Sequence, residues 1–282
     1  MDELVFENDL FGKKVLITIY DTDPMVGKDF IDSAYKEGLR LQKIFNFYDP
    51  ESELSSLNKK RTMMVSDELL EVLEMAILIC DKTSGEYDIT LGKIFLERKT
   101  KKPLSDIKCS YKNVLIEGHK VILAHPDALI DLGSVAKGYI ADKIADDLIN
   151  NDVLNGMIDA RGDIIFFGDY EHLIEIQHPR DEDKALCSIK IKDLAVATSG
   201  DYHQYSGSFE ESHILNQKDV ISATVVADTL AEADIYATAL FVCSAEEREK
   251  LLNDRKDIKA LIVDKRLTLK TYNGFEELMI KD

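Results

Sequence analysis

The sequence lacks the marks of several large protein classes. Its four cysteines, Cys80, Cys109, Cys187 and Cys243, are scattered along 282 residues without CxxC spacing. Neither a zinc knuckle nor a disulfide framework is indicated, and a reducing compartment is the simpler setting. No stretch approaches twenty uncharged apolar residues, so no membrane insertion is expected. The opening MDELVFEND is acidic where a secretory leader would be basic and then apolar, which reads as cytoplasmic. An exported chain whose leader had been removed would look the same. Positive charge is in deficit: 35 Lys and Arg face 53 Asp and Glu, a formal net charge of −18. Nucleic acid and anionic membrane both need a basic footprint, so neither is an expected partner. A phosphate ligand of so acidic a chain is expected to arrive with a divalent cation. Internal repeats, low-complexity tracts and Pro/Gly-rich linkers are also missing. Residues 1–282 therefore read as a single domain.

What is present is a 45% hydrophobic composition, enough for a full core, arranged with two periodicities. KKVLITIYD (13–21) alternates Val15, Ile17 and Ile19 inward as a strand, and 28–47 recurs at three- and four-residue spacing as a long amphipathic helix. The polar run FYDPESELSSLNKK then breaks the pattern, a connection longer than packing needs. A helix is expected over 67–82, two strands around a glycine turn over 113–124, and a strand at DALIDLG feeding a helix from Ser134 to Asn150. Further strands are expected at GMIDARGDIIFFG, HLIEIQHP, CSIKIKDLAVATSG and VISATVVA, helices at 229–243 and 245–253, and a β-like tail from Ala260. The fold class is α+β: a mixed, largely antiparallel sheet packed with helices, in one lobe or two.

Four polar constellations stand out. In LAEADIYATALFV, Asp234 and Thr238 are four apart and stack on one helix face. A carboxylate and a hydroxyl one turn apart are oxygen donors suited to Mg²⁺. A threonine bonded back to its own helix, with Asp234 at the solvent edge, would satisfy the same letters. In DLGSVAKG, Gly133 permits a tight turn, Ser134 can cap the helix, and Asp131 ends the strand. Such a turn can hold phosphate on unpaired amides, or be a plain capped junction. It lacks both the dinucleotide fingerprint and the P-loop. In ATSGDYHQYSGSFEESHILNQKDV, Ser199-Gly200-Asp201 reads as a turn, with His203 and His213 in a polar loop; Gly162 and Asp163 precede an apolar strand.

The order of these segments carries more than any one of them. YDPESELSSLN, SGEYDIT, IDLGSVAKGYIADKIADDL, ARGDIIFFG, IQHPR, ATSGDYHQY, SHILN and TVVADTLAEADIYATALFV, from about residue 11 to 243, resemble the FAD:protein FMN transferase family, also called ApbE. That resemblance implies an FAD pyrophosphate bridged by Mg²⁺. It implies that Asp131 and Lys137 contact FAD, as do Tyr48, Glu86, Tyr87, Asp88 and Ile214. Ser134 would give a backbone oxygen to the metal, whose other protein ligands would be Asp234 and Thr238, and His213 would be the general base. The implied reaction is attack by a threonine hydroxyl of an acceptor protein, such as a redox-chain subunit, on the FMN-side phosphorus, with AMP leaving. With water as acceptor the same site would hydrolyse FAD to FMN and AMP, and without turnover it would only bind flavin.

Two segments depart from the family. Phe11-Gly12-Lys13 stands where Met-Gly-Thr is usual, and His213-Ile214 continues into Asn216-Gln217-Lys218-Asp219 rather than Asp-Pro-x-Thr-Gly. The latter loses a rigid proline and a permissive glycine, so slow transfer by a competent FAD binder is the expectation.

Overall fold

The computed structural model describes residues 3–10, 12–104, 106–201 and 219–280. The chain opens with strands β1 (Glu3–Leu10) and β2 (Lys13–Tyr20), helices α1 (Pro24–Phe45) and α2 (Glu53–Lys60), strand β3 (Thr62–Met64), and helices α3 (Asp67–Lys82) and α4 (Gly92–Lys99). The middle holds β4 (Val114–Glu117), β5 (Lys120–Leu123), α5 (Ala136–Asn150), β6 (Gly156–Asp159), β7 (Ile164–Phe167), β8 (His172–His178), β9 (Asp181–Ile191) and β10 (Ala195–Gly200). It closes with β11 (Val220–Ala227), α6 (Leu230–Val242), α7 (Ala245–Asp254), β12 (Lys259–Asp264) and β13 (Leu269–Tyr272).

Eight strands make one sheet in the order β1-β2-β6-β7-β10-β11-β12-β13, and every ladder in it is antiparallel. Its two faces are both covered. On one, Val15, Ile17, Ile19, Ala197 and Val225 pack with α1, α5 and α6 in a large cluster that also takes in Val114, Val121 and Leu123 of the small sheet β3-β5-β4. On the other, Phe166, Val196, Val226 and Leu261 meet Ile176, Ile189 and Ile191 of the hairpin β8-β9, with Phe275. Strand β11 is accordingly buried at all eight positions, as a strand covered on both faces must be. Helix α6 is buried at eleven positions and shows no polar face, because it lies between the sheet and α3 and α5.

Local chemistry explains most element ends. Asp23 accepts the amides of Met25 and Val26, and Pro24 opens the helix, so α1 starts four residues before the apolar periodicity does. The polar segment after Tyr48 is not a free connection: Ser52 caps a helix there, α2, and Leu54 and Leu57 are fully buried. Ser66, Thr229 and Ser244 cap α3, α6 and α7. Strand β1 and helix α4 went unread in the sequence; the first is a half-exposed edge strand and the second a weakly amphipathic eight-residue helix.

The stretch DALIDLG is a correction. It forms no ladder strand, only an isolated parallel bridge between Leu129 and Leu91. Its backbone is satisfied instead by Asn58, whose side chain bonds both the amide and the carbonyl of Ile130 at 2.8 Å, and by Ile89, which takes the Asp131 amide at 2.9 Å. The guanidinium of Arg61 gathers the carbonyls of Leu123, His125 and Ala128 just upstream. Ser134 does not cap α5; Val135 holds the cap position with no side-chain bond. Ser199 and Gly200 are likewise not a turn but the end of β10.

Candidate active site

Helices α5 and α6, strand β10 and the loops before α4 and α5 converge on a cavity of ≈ 590 Å³. That lies within the range of about 300–1,000 Å³ usual for small-molecule sites. Nine residues nominated from the sequence line it: Tyr48, Glu86, Tyr87, Asp88, Asp131, Ser134, Lys137, Asp234 and Thr238. His213 and Ile214, with His203 and residues 216–218, fall outside the described residues. The residues flanking that segment are both anchored. Asp201 is clasped by Arg180 at 2.6 and 2.9 Å, and Asp219 by Arg248 at 2.8 Å.

At the inner end lies a charged trio. The Lys137 ammonium donates to Asp163 Oδ2 at 2.6 Å and to the two oxygens of Asp234 at 3.3 and 3.2 Å. Asp163 Oδ1 accepts the Thr198 amide from β10 at 3.1 Å. Burial alone would push Lys137 down, but the charges of Asp234 and Asp163 outweigh it and hold the ammonium above its ordinary value. Burial pushes Asp234 above the usual carboxylate range, and Asp163 adds to this, against the pull of Lys137 and of the Gly138 amide, which donates to it. Asp234 is therefore no solvent-edge residue; it is 4% exposed. Thr238 Oγ1 lies 3.0 Å from Ser199 Oγ across the α6–β10 contact.

Gly138 has a reason beyond the turn. A Cβ there would meet the Leu230 carbonyl oxygen at 2.3 Å and the Ala231 amide nitrogen at 2.6 Å, so the residue lets α5 press its backbone against the start of α6. Four residues on, Asp142 accepts the amides of Leu230 and Ala231 at 2.7 and 2.8 Å. The AKG segment thus positions α6, and with it Asp234.

The remaining walls are of two kinds. Tyr87 is buried and shares a hydrogen bond of 2.7 Å with Ser134 Oγ, and burial holds its phenol well above the ordinary value. Asp131 accepts the Gly133 amide at 2.8 Å, and burial pushes its carboxyl up. Asp88 spends its carboxylate on Thr90 and on the Tyr111 amide, shaping the loop it sits in, and Glu86 takes the amide of Ser244. At the outer lip Tyr48 is 55% exposed, with the Lys99 ammonium 3.5 Å from its ring centroid and Phe95 and Arg98 beside it along the cavity wall. Asp163, Thr198, Ser199, Phe95, Arg98 and Lys99 were not assigned to the site from sequence. Of these, Asp163 and Ser199 left a trace, the first as the acid closing the ARGD turn and the second in the segment read as a Ser-Gly-Asp turn.

A cation suits the inner end. One ammonium shared between two carboxylates leaves a net negative charge in a poorly hydrated place. Among the described residues no group of three or more His, Cys, Asp or Glu could hold a metal alone. The donors are hard oxygens, Asp234 carboxylate and Thr238 hydroxyl, which suits Mg²⁺ completing its shell with backbone, water and phosphate oxygens. The residues present fit that ion.

The ApbE family model matches residues 11–262. An FAD:protein FMN transferase of Vibrio cholerae is 28% identical over 267 residues, 82% of this chain and 76% of the relative. One from Treponema pallidum is 27% identical over 265 residues, 77% and 72% of the two chains. In fold, the ApbE protein of Thermotoga maritima superposes with a TM-score of 0.85 at 24% identity, covering 99% of this chain and 100% of that one. The flavin transferase ApbE of Vibrio cholerae gives 0.80 at 23% identity, over 98% and 99%. Among the described residues no helix is long and apolar enough to cross a membrane.

Proposed function

The chain belongs to the ApbE family, and from that premise we propose that it transfers FMN from FAD to a hydroxyl of an acceptor protein. Its relatives carry that activity in their names. The observation that carries the reading is the convergence, on one cavity of dinucleotide scale, of every nominated residue within the described chain. A single buried cluster running from the small sheet through the helices to the large sheet supports treating the chain as one domain.

In this reading the acceptor is a threonine-bearing protein, such as a redox-chain subunit. The threonine oxygen attacks the FMN-side phosphorus of FAD and forms the phosphoester bond. The bond from that phosphorus to the bridging oxygen breaks, the oxygen leaves on AMP, and the threonine proton passes to His213. A bound Mg²⁺ supplies charge neutralisation on the pyrophosphate, and Asp234, Thr238 and the backbone oxygen of Ser134 would hold it. The exposed ring of Tyr48 offers a face on which a flat heterocycle can stack, with Ile214 and Asp131 on the nucleotide and Lys137 beside the phosphates. Tyr87 fixes Ser134 by their shared hydrogen bond.

Titrating FAD with Mg²⁺ and with a chelator, and following AMP release, tests this. Mg²⁺-dependent binding with AMP formed only when acceptor is added supports transfer. Equal affinity with and without chelator contradicts the metal assignment, and AMP formed as fast without acceptor makes the chain an FAD hydrolase.

A further inference from the structure

Lys137 stands where a cation belongs. Its ammonium lies 3.3 and 3.2 Å from the two Asp234 oxygens, the same oxygens a metal would need. Its contact with Asp163 is shorter, 2.6 Å, and better anchored. Asp163 is fixed from behind: its other carboxylate oxygen takes the Thr198 amide at 3.1 Å, and its backbone carbonyl takes the Ala160 amide at 2.8 Å. It follows two left-handed residues, Arg161 at φ 73° and Gly162 at φ 94°, which turn β6 into β7. Lys137 therefore has a firm anchor on the sheet and a looser one on α6.

An ammonium and a divalent ion cannot share Asp234 without strong repulsion in so buried a place. An ammonium stripped of every carboxylate there would be costly too. Resting on the ApbE reading above, we propose that Asp163 is a positioning residue that lets Lys137 exchange places with the metal. When the cation takes Asp234, Lys137 stays on Asp163, and the N–H donors released from Asp234 become available to the ligand's anionic oxygens. Without Asp163, Lys137 has Asp234 alone and competes with the metal for it.

The test is Mn²⁺ binding without FAD, read as loss of the free-ion electron paramagnetic resonance signal, in a double-mutant cycle of Asp163→Asn and Lys137→Gln. Asp163→Asn should weaken Mn²⁺ about tenfold in the native background, and Lys137→Gln should tighten it by a similar factor. In the Lys137→Gln background, Asp163→Asn should change affinity by less than about twofold, because no ammonium remains to be held. A plain field effect of the lost charge would act equally in both backgrounds, and that result overturns the exchange while leaving the metal site standing. If Asp163→Asn does not fold, Lys137→Gln still decides: looser Mn²⁺ binding overturns the proposal. Absence of saturable Mn²⁺ binding by the native protein, or binding kept in Asp234→Asn, removes the underlying metal reading and the proposal with it.

Discussion

Replacing Gly138 with alanine tests whether the AKG glycine serves the contact between two helices. The added Cβ would sit 2.3 Å from the Leu230 carbonyl oxygen, where ordinary contact begins at 3.4 Å, and the obstacle is backbone. The start of α6 must then retreat by the difference, about 1 Å, a displacement that can cost on the order of 10²-fold in rate at a reacting centre. Overpacking of this kind costs about 1–3 kcal/mol, and the upper end applies because no flexible side chain can yield. Alanine regains about 1 kcal/mol of helix propensity, leaving a net loss of about 2 kcal/mol. For a chain of 282 residues that lowers the melting temperature by about 3 °C. The Asp142 bonds to Leu230 and Ala231 and the Gly138 amide bond to Asp234 would be disturbed together, so Mg²⁺-dependent FAD affinity should fall as well. Thermal melts and FAD titrations read both. A variant that melts at or above the native temperature and binds FAD normally would refute the reasoning, since helix propensity would then have outweighed a contact that does not matter.

Asp234→Asn should weaken Mn²⁺ and FAD together, because an amide is a poorer ligand than a carboxylate, while His213→Ala should leave binding intact and slow turnover by about 10²–10⁴-fold. Loss of the same function in the same proportion would contradict these roles. Asp142 offers a pH test: burial pushes its carboxyl to about 7 against its two amide bonds, so the folded state holds its proton more tightly than the unfolded chain. Its contribution to stability is then present below the ordinary carboxylate pKa and lost as pH rises through 7. The deficit of Asp142→Asn relative to the native protein should therefore shrink between pH 5 and pH 8, and a deficit that is constant or grows in melts across that range would overturn the assignment. Rebuilding residues 216–219 as Asp-Pro-Lys-Thr-Gly, in versions with and without the extra residue, should raise the single-turnover rate with bound FAD more than FAD affinity; a change in affinity alone would count against that segment as the limit on chemistry.

What could be read in the letters was what neighbours in sequence decide. Asp234 and Thr238 share a face because a helix of any burial places i and i+4 together, so the pair was legible before its surroundings were. Ser134 was misread because a serine ahead of a helix usually caps it, whereas here Val135 takes the cap position and the hydroxyl goes to Tyr87, forty-seven residues away. The structural role of Gly138 depends on the backbone of α6, about ninety residues later, and no local pattern announces it. Asp163 enters the site through the pairing of β7 with β10, a register that alternation alone cannot fix. The lip residues Arg98 and Lys99 drew no reading from the sequence, since α4 has little amphipathic pattern to reveal which side faces the cavity. The capped helix α3 and the alternating strand β2 were found at their true bounds or within a residue of them.

The most direct test of the central claim is the mass of a threonine-bearing acceptor after incubation with this protein, FAD and Mg²⁺. The account predicts a gain of one FMN less water on a threonine, matched mole for mole by AMP and absent in chelator and in Asp234→Asn. An unmodified acceptor, or a modified one that forms equally well without the metal, would contradict it.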